Sequence, residues 1–362
     1  MKAPAALAEG PPESDRLDDA PHPRETMTLY GQSRAEATLL DAYRSGRLPH
    51  AWILGGPEGI GKATLAWRFA RFLLANPDPD APAVRDARDL SVDPAHPVAN
   101  RVAKGSHGDV ALLRREWDAK GKKHFTAIRV DDVRAAQTLF QRSASAQGYR
   151  VAIVDSAEDL NANAANALLK QVEEPPARAL FLIVAHRPGL VMPTIRSRCA
   201  RLLLDPLTPA AIGRAISALG EPWSEHDPAD VAQAADHADG SIRKALASLD
   251  PQARGFSAMI DAMLAQLPRV DLAQAHRLAD LVAPRGTEAR FEVMLDAVRR
   301  WLDDRLRRPG ATPRMLAPYA AVWEKLRAAA AQAEAYNLDR RPLVLALVRD
   351  LAEAERRALG QS

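Results

Sequence analysis

The chain reads as an α/β protein: a parallel sheet built around a phosphate-binding loop, followed by a small helical domain and then a second, all-helical one. Three observations lead there. The segments Ala51–Leu54, Arg150–Val154 and Ala179–Ala185 carry continuous rather than alternating apolar runs, as strands of a parallel sheet covered on both faces do. Helical patterns separate these segments, and a glycine-rich turn follows the first of them. After Thr208 the strand signal disappears.

Taken in order, residues 1–28 are rich in Ala, Pro and Asp and read as a disordered tail. Ser33–Ser45 is helical, with Leu39, Leu40 and Tyr43 on one face. The loop strand Ala51–Leu54 and a helix from Lys62 to about Ala75 come next. Residues 76–108, proline-rich and weakly periodic, read as an irregular solvated insertion. Asp109–Leu113 is a strand, followed by a basic loop (Arg114, Arg115, Lys120, Lys122, Lys123 around Trp117). That loop has two readings, a phosphate contact or a solvated surface. Asp131 or Asp132 caps a helix whose Val133, Ala136 and Phe140 share a face. Strand Arg150–Val154 ends in Asp155, and a helix from about Asn163 to Glu174 is stopped by Pro175-Pro176. A last strand lies near Leu202–Leu204. Residues 208–252 form the small helical domain, with Gly240 as a stop and Ser241 as an N-cap. In 253–362, Phe291, Leu295, Val298 and Leu302 keep one helical face and Leu343, Leu347 and Leu351 another, broken at Pro309–Pro313 and Asp339–Pro342. Such a domain serves either core packing alone or oligomer contacts as well.

The bulk numbers exclude some classes. With 362 residues the chain has room for two or three domains. A net charge of +3 gives no nucleic-acid signature. No apolar run approaches the roughly 20 residues that cross a bilayer, and residues 1–28 lack a signal core, so a cytoplasmic protein without membrane contact is expected. The single cysteine, Cys199, permits neither an internal disulfide nor a cysteine-rich zinc site.

Gly56, Gly61 and Lys62 have the G-x4-G-K spacing, with Gly59 inside the turn. Glycines let backbone N–H groups curl around phosphate oxygens, the helix N-terminus faces the anion, and the lysine reaches the outer phosphates. The residue that should ligate Mg²⁺ is Ala63, whose methyl cannot. Thr64 sits roughly 100° further round the helix and substitutes poorly. Asp155, at a strand end beside the loop, is placed for the metal shell.

Further stretches add a resemblance. They are Leu29–Gln32, Leu48–His50, Gly105–Asp109, Val151–Leu160, Asn166–Pro176 (Asn-Ala-Leu-Leu-Lys-Gln-Val-Glu-Glu-Pro-Pro) and Pro193–Cys199 (Pro-Thr-Ile-Arg-Ser-Arg-Cys). Together they resemble the bacterial sliding-clamp loader family of AAA+ proteins, part of DNA polymerase III, most closely its delta-prime branch, from about residue 29 to 250. The resemblance implies an AAA+ RecA-like domain over 29–207, a helical lid over 208–252 and a helical collar for oligomerisation over 253–362. Arg198 matches the family's arginine finger, a catalytic group lent to the ATP site of the neighbouring subunit, where a planar, always-charged fork suits phosphate oxygens. Arg243 resembles the second-sensor arginine, with a structural role as the other reading. The polar sensor falls at Ala185 or His186. Motor subunits of the family carry a glutamate directly after the strand aspartate; here that residue is Ser156, with Glu158 two positions on.

The resemblance therefore implies a stator: an ATPase-deficient subunit of a hetero-oligomeric loader, binding ATP weakly if at all through Gly56, Gly59, Gly61, Lys62, Thr64, Asp155 and Arg243. It requires no cofactor of its own, and no zinc. Its partners would be the motor (tau/gamma) and delta subunits and, through the complex, the sliding clamp and primed DNA. The alternative is a catalytically active AAA+ ATPase, against which Ala63 and Ser156 argue. A phosphate-loop kinase lacks an acceptor site.

Overall fold

The computed structural model describes residues 11–17, 20–141, 148–284, 287–307, 312–336 and 339–359. They fall into two compact units, Met1–Leu246 and Ala247–Ser362.

The first unit is built on β1 (Ala51–Gly55), β2 (Val110–Leu113), β3 (Arg150–Val154), β4 (Ala179–Ala185) and β5 (Ala200–Leu203). All pair in parallel, in the spatial order β2-β3-β4-β1-β5. Every residue of β1, β3 and β4 is buried, which is why their apolar runs do not alternate. On one face Ile53, Val154 and Phe181 pack with Leu168 and Val172 of helix Ala162–Glu173 and with Val133. The helix Lys62–Ala75 packs against β1, β3 and β4 and buries Leu65, Phe69, Phe72 and Leu73. Between β1 and β4 the strand order reverses, and a crevice at the carboxyl ends of the strands follows from that reversal. Helices Pro209–Ser217, Pro228–Asp236 and Ile242–Leu249 complete this region. Thr208 and Asp227 cap the first two, and Ser241 Oγ accepts from Lys244 N at 3.3 Å.

The second unit packs helices Pro251–Gln266, Leu272–Val282, Glu288–Leu306, Pro313–Tyr336 and Arg340–Ala358. Phe291, Leu295, Val298 and Leu302 are buried, as are Leu347 and Leu351. Within this core the buried Glu355 carboxylate accepts from Tyr319 Oη at 2.7 Å and from Arg305 Nε at 3.3 Å. The Arg305 guanidinium in turn lies 3.8 Å over the Trp301 ring.

Two expectations need correction. The residues of the expected tail that the structure describes are packed: His22 is fully buried, and Glu13 and Asp15 both pair with Arg114. Residues 1–10, Asp18 and Asp19 lie outside the described residues, as do 308–311 of the expected proline break and 360–362. The insertion 76–108 is not simply a solvated surface. It forms the short helices Pro82–Arg85 and Pro97–Ala103 and buries Val84, Leu90, Val98 and Val102. Helices between Thr208 and Leu246 group with the sheet in the first unit.

Candidate functional site

The loop between β1 and its helix carries three glycines at positive φ: Gly56 at 140°, Gly59 at 77° and Gly61 at 96°. Two of them also have no room for a side chain. A Cβ on Gly59 would lie 2.2 Å from Ser241 Oγ, and one on Gly56 would lie 2.8 Å from the Leu204 carbonyl oxygen. The second clash explains why strand β5 can run so close to the loop. Ile242 N donates to Gly59 O at 2.9 Å, which fixes the helix bearing Arg243 to the loop.

Lys62 is 3% exposed. Its Nζ donates to Gly56 O at 2.7 Å and to Pro57 O. Burial pushes its ammonium down to about 8, against the opposing pull of Asp155, Glu58 and Glu158. Asp155 follows directly on β3, and burial, reinforced by the Asp15 carboxylate, raises it to about 7 although Lys62 pulls the other way. These groups line a cavity of about 660 Å³, within the ordinary range for a ligand pocket.

Of the expected nucleotide-binding residues, Gly59, Gly61, Lys62, Thr64, Asp155 and Arg243 line this cavity; Gly56 does not, and meets it only through its carbonyl, which accepts from Lys62 Nζ. Ala63 and Ser156 line it too, so the methyl and the short hydroxyl stand where a metal ligand and a water-activating acid would be expected. Ala63 has no side-chain oxygen to offer a Mg²⁺ shell. Arg243 Nε pairs with Glu58 Oε1 at 3.2 Å, both half-exposed.

The structure separates the two sensor candidates. Ala185 ends β4, and its carbonyl accepts from Gly56 N at 3.2 Å. His186 is the polar group in the cavity, its pKa lowered by burial and by Lys62. Sequence reasoning gave no role to Glu158, which lies in the same wall and accepts from Arg187 N at 2.5 Å through Oε1. Arg115, named in the sequence only as part of the basic loop, lines the cavity and pairs with Asp159 at 3.1 Å, and Asp15 and Glu25, which sequence reasoning did not find, reach it from the segment before residue 28. No local sequence signal marks these, because their partners are distant in the chain.

Arg198 is elsewhere. It follows the short helix Pro193–Arg196 and is absent from the cavity wall. Its side chain, 42% exposed, pairs with Glu173 at 2.9 Å and donates to Thr194 O at 3.1 Å. Beside it Cys199 is buried with Val191 and Ile195, and burial pushes the thiol up to about 11, an unreactive packing residue. In the basic loop, Arg114 and Arg115 are tied up in ion pairs with Glu13, Asp15 and Asp159. Among the described residues no helix is long and apolar enough to cross a membrane.

Comparison with known proteins matches residues 31–208 to the family described as DNA polymerase III, delta subunit. The chain is similar to the DNA polymerase III subunit delta' of Pseudomonas aeruginosa, at 36% identity over 152 residues, 42% of each chain. It is similar to subunit tau of Bacillus subtilis at 31% identity over 65% of this chain and 38% of that one. The delta' subunit of Bacillus subtilis matches at 27% identity over half of each. The matches thus span between 38% and 50% of these relatives' own lengths. A solved structure of a Thermotoga maritima RuvB variant aligns over 84% of this chain and 86% of its own, at 17% identity and a TM-score of 0.40.

Proposed function

From the match of residues 31–208 to the family described as DNA polymerase III, delta subunit, we propose that this chain belongs to that family and is the delta-prime, stator subunit of a cytoplasmic sliding-clamp loader. It holds the assembly through its C-terminal helices and lends Arg198 to the ATP bound by the neighbouring motor subunit. The motor (tau/gamma) and delta subunits are its partners, and the complex acts on the sliding clamp and primed DNA. One contrast carries the reading. Ala63 and Ser156 stand in the chain's own cavity where catalysis would need a metal ligand and an acid, while Arg198 stands outside it, half-exposed.

Phosphoryl transfer depends on positioning and charge stabilisation, so losing both groups disables the chain's own pocket. A guanidinium brought to the phosphates of a neighbour works by the same stabilisation. Arginine fingers contribute about 10³–10⁵ in rate in well-studied GTPases. In a loader rebuilt from purified subunits, Arg198→Ala is expected to leave assembly intact and lower clamp- and DNA-stimulated ATPase by roughly 10³-fold. An unchanged rate would remove the assignment.

One observation favours the rival, a self-sufficient ATPase: the Glu158 Oε2 atom is buried at the cavity wall without a hydrogen-bond partner. Incubating the purified chain with Mg-ATP separates the two. Turnover at motor-like rates that Lys62→Ala abolishes would favour the rival.

A further inference from the structure

β5 is an edge strand: among the described residues it pairs with β1 alone. Leu204 N donates to Gly55 O at 2.8 Å, so by alternation the N–H groups of Arg201 and Leu203 point away from β1. In the register Arg201 lies opposite Ile53 and Leu203 opposite Gly55. Both side chains therefore stand on the face that Ile53 shares with helix Ala162–Glu173. The helical cover of that face is thin at this margin. The helix leading into β5, Pro193–Arg196, is a single turn, and Gly55 has no side chain to offer. A Cβ there would meet Pro188 Cγ at 2.5 Å and Leu203 Cδ2 at 2.8 Å, so Pro188 and Leu203 close over the glycine themselves.

The result is a bare apolar margin edged with arginine. Leu203 is 66% exposed and Leu190, two residues beyond Pro188, is 65% exposed, whereas Leu204 on the opposite face is 4% exposed. Arg196 Nη1 donates to Gly189 O at 3.0 Å, which joins the turn carrying Arg198 to the one carrying Leu190. Arg201, also exposed, stands two residues before Leu203. Among the described residues, the carboxylate paired with any of these three arginines is Glu173, on Arg198. Arg198 and Leu203 are five residues apart, at most about 17 Å of strand. A standard interface covers about 800 Å² of each partner, a patch roughly 30 Å across, wide enough to span Arg198 and the leucines together.

We propose that this margin, anchored by Leu190 and Leu203, is the docking surface for the subunit whose ATP Arg198 serves. The inference rests on reading Arg198 as a group lent to a neighbour. The occupant's face is anionic, because it carries bound polyphosphate, and the margin answers it with Arg196, Arg198 and Arg201. A second copy of this chain fits worse. A two-fold contact sets the same patch on both partners and would bring these arginines toward one another. Apolar side chains with arginine beside them are also the composition that interface centres favour.

The test uses the full chain and the purified motor subunit. The double variant Leu190→Ser, Leu203→Ser alters side chains that are already 65% and 66% exposed, so its melting curve should match the parent's. Its dissociation constant for the motor subunit is expected to rise roughly tenfold or more. Arg201→Glu, a charge reversal on the same margin, should also weaken binding, most of all at low salt. Hydrogen exchange at the outward amides of Arg201 and Leu203 should slow on assembly. A parent-like constant for either folded variant, or unaltered exchange in β5, would overturn the proposal. So would sedimentation in which the parent chain self-associates and the double variant does not, since the occupant would then be a second copy. Each of these failures leaves the stator reading standing if Arg198→Ala still lowers loader ATPase. If the parent chain bound no motor subunit, that reading would fall and the docking surface with it.

Discussion

At the phosphate loop, Lys62 and Asp155 line the cavity, and burial holds the first below and the second above its ordinary pKa. Just before β5, Arg198 stands 42% exposed, tied to Thr194, Ser197 and the half-exposed Glu173. On the proposed reading both places carry phosphate-directed side chains, set up for opposite uses. The loop's charges are strained by burial and answered from within the chain. Arg198 is half-exposed, and its screened pair with Glu173 is easily exchanged for a better anion. A group prepared for a partner is thus distinguished from an inherited one by how its own chain has already satisfied it.

The largest expected effect concerns the buried side of this contrast. Asp155 is raised from 3.8 to about 7, so between those pH values the folded chain holds a proton that the unfolded chain has released. Through this group, stability falls as pH rises from about 4 to about 7, by up to about 4 kcal/mol. Urea melts at pH 5 and pH 8 should show that slope, and Asp155→Asn should flatten it while raising stability at pH 8. A slope unchanged by the substitution would mean that the carboxylate is not under strain.

A smaller effect is expected at Gly59, where φ is positive and a Cβ would overlap Ser241 Oγ. Gly59→Ala should cost about 1–3 kcal/mol in thermal melts, yet leave Arg198-dependent ATPase within about twofold in a folded, assembled loader. Loss of that ATPase would tie the two regions together and weaken the contrast. Smallest of all, Glu173→Gln removes an exposed partner and should shift stability by less than about 0.5 kcal/mol. A large loss would show that Arg198 is held in place by its own chain.

Much of the sheet was legible because burial on both faces leaves a local record: β1, β3 and β4 read directly as unbroken apolar runs. The loop glycines and Lys62 were legible through spacing. The packing of residues 13–26 that the structure describes was not, because proline and acidic composition reads as disorder, and what orders them is distant: Arg114 for Glu13 and Asp15, Trp67 for His22. Leu90 and its surroundings were missed for the same reason. There Glu36 accepts from both Arg68 and Leu90 N in a buried cluster that no periodicity announces. The choice between Ala185 and His186 depended on where β4 ends, and strand ends are the least local feature of a sheet.

The most direct measurement compares Arg198→Ala with Lys62→Ala in the same reconstituted loader, reading clamp- and DNA-stimulated ATP hydrolysis. The account predicts a fall of roughly 10³-fold for the first and a rate within about twofold of the parent for the second. The reverse pattern, with Lys62 needed and Arg198 dispensable, would contradict it.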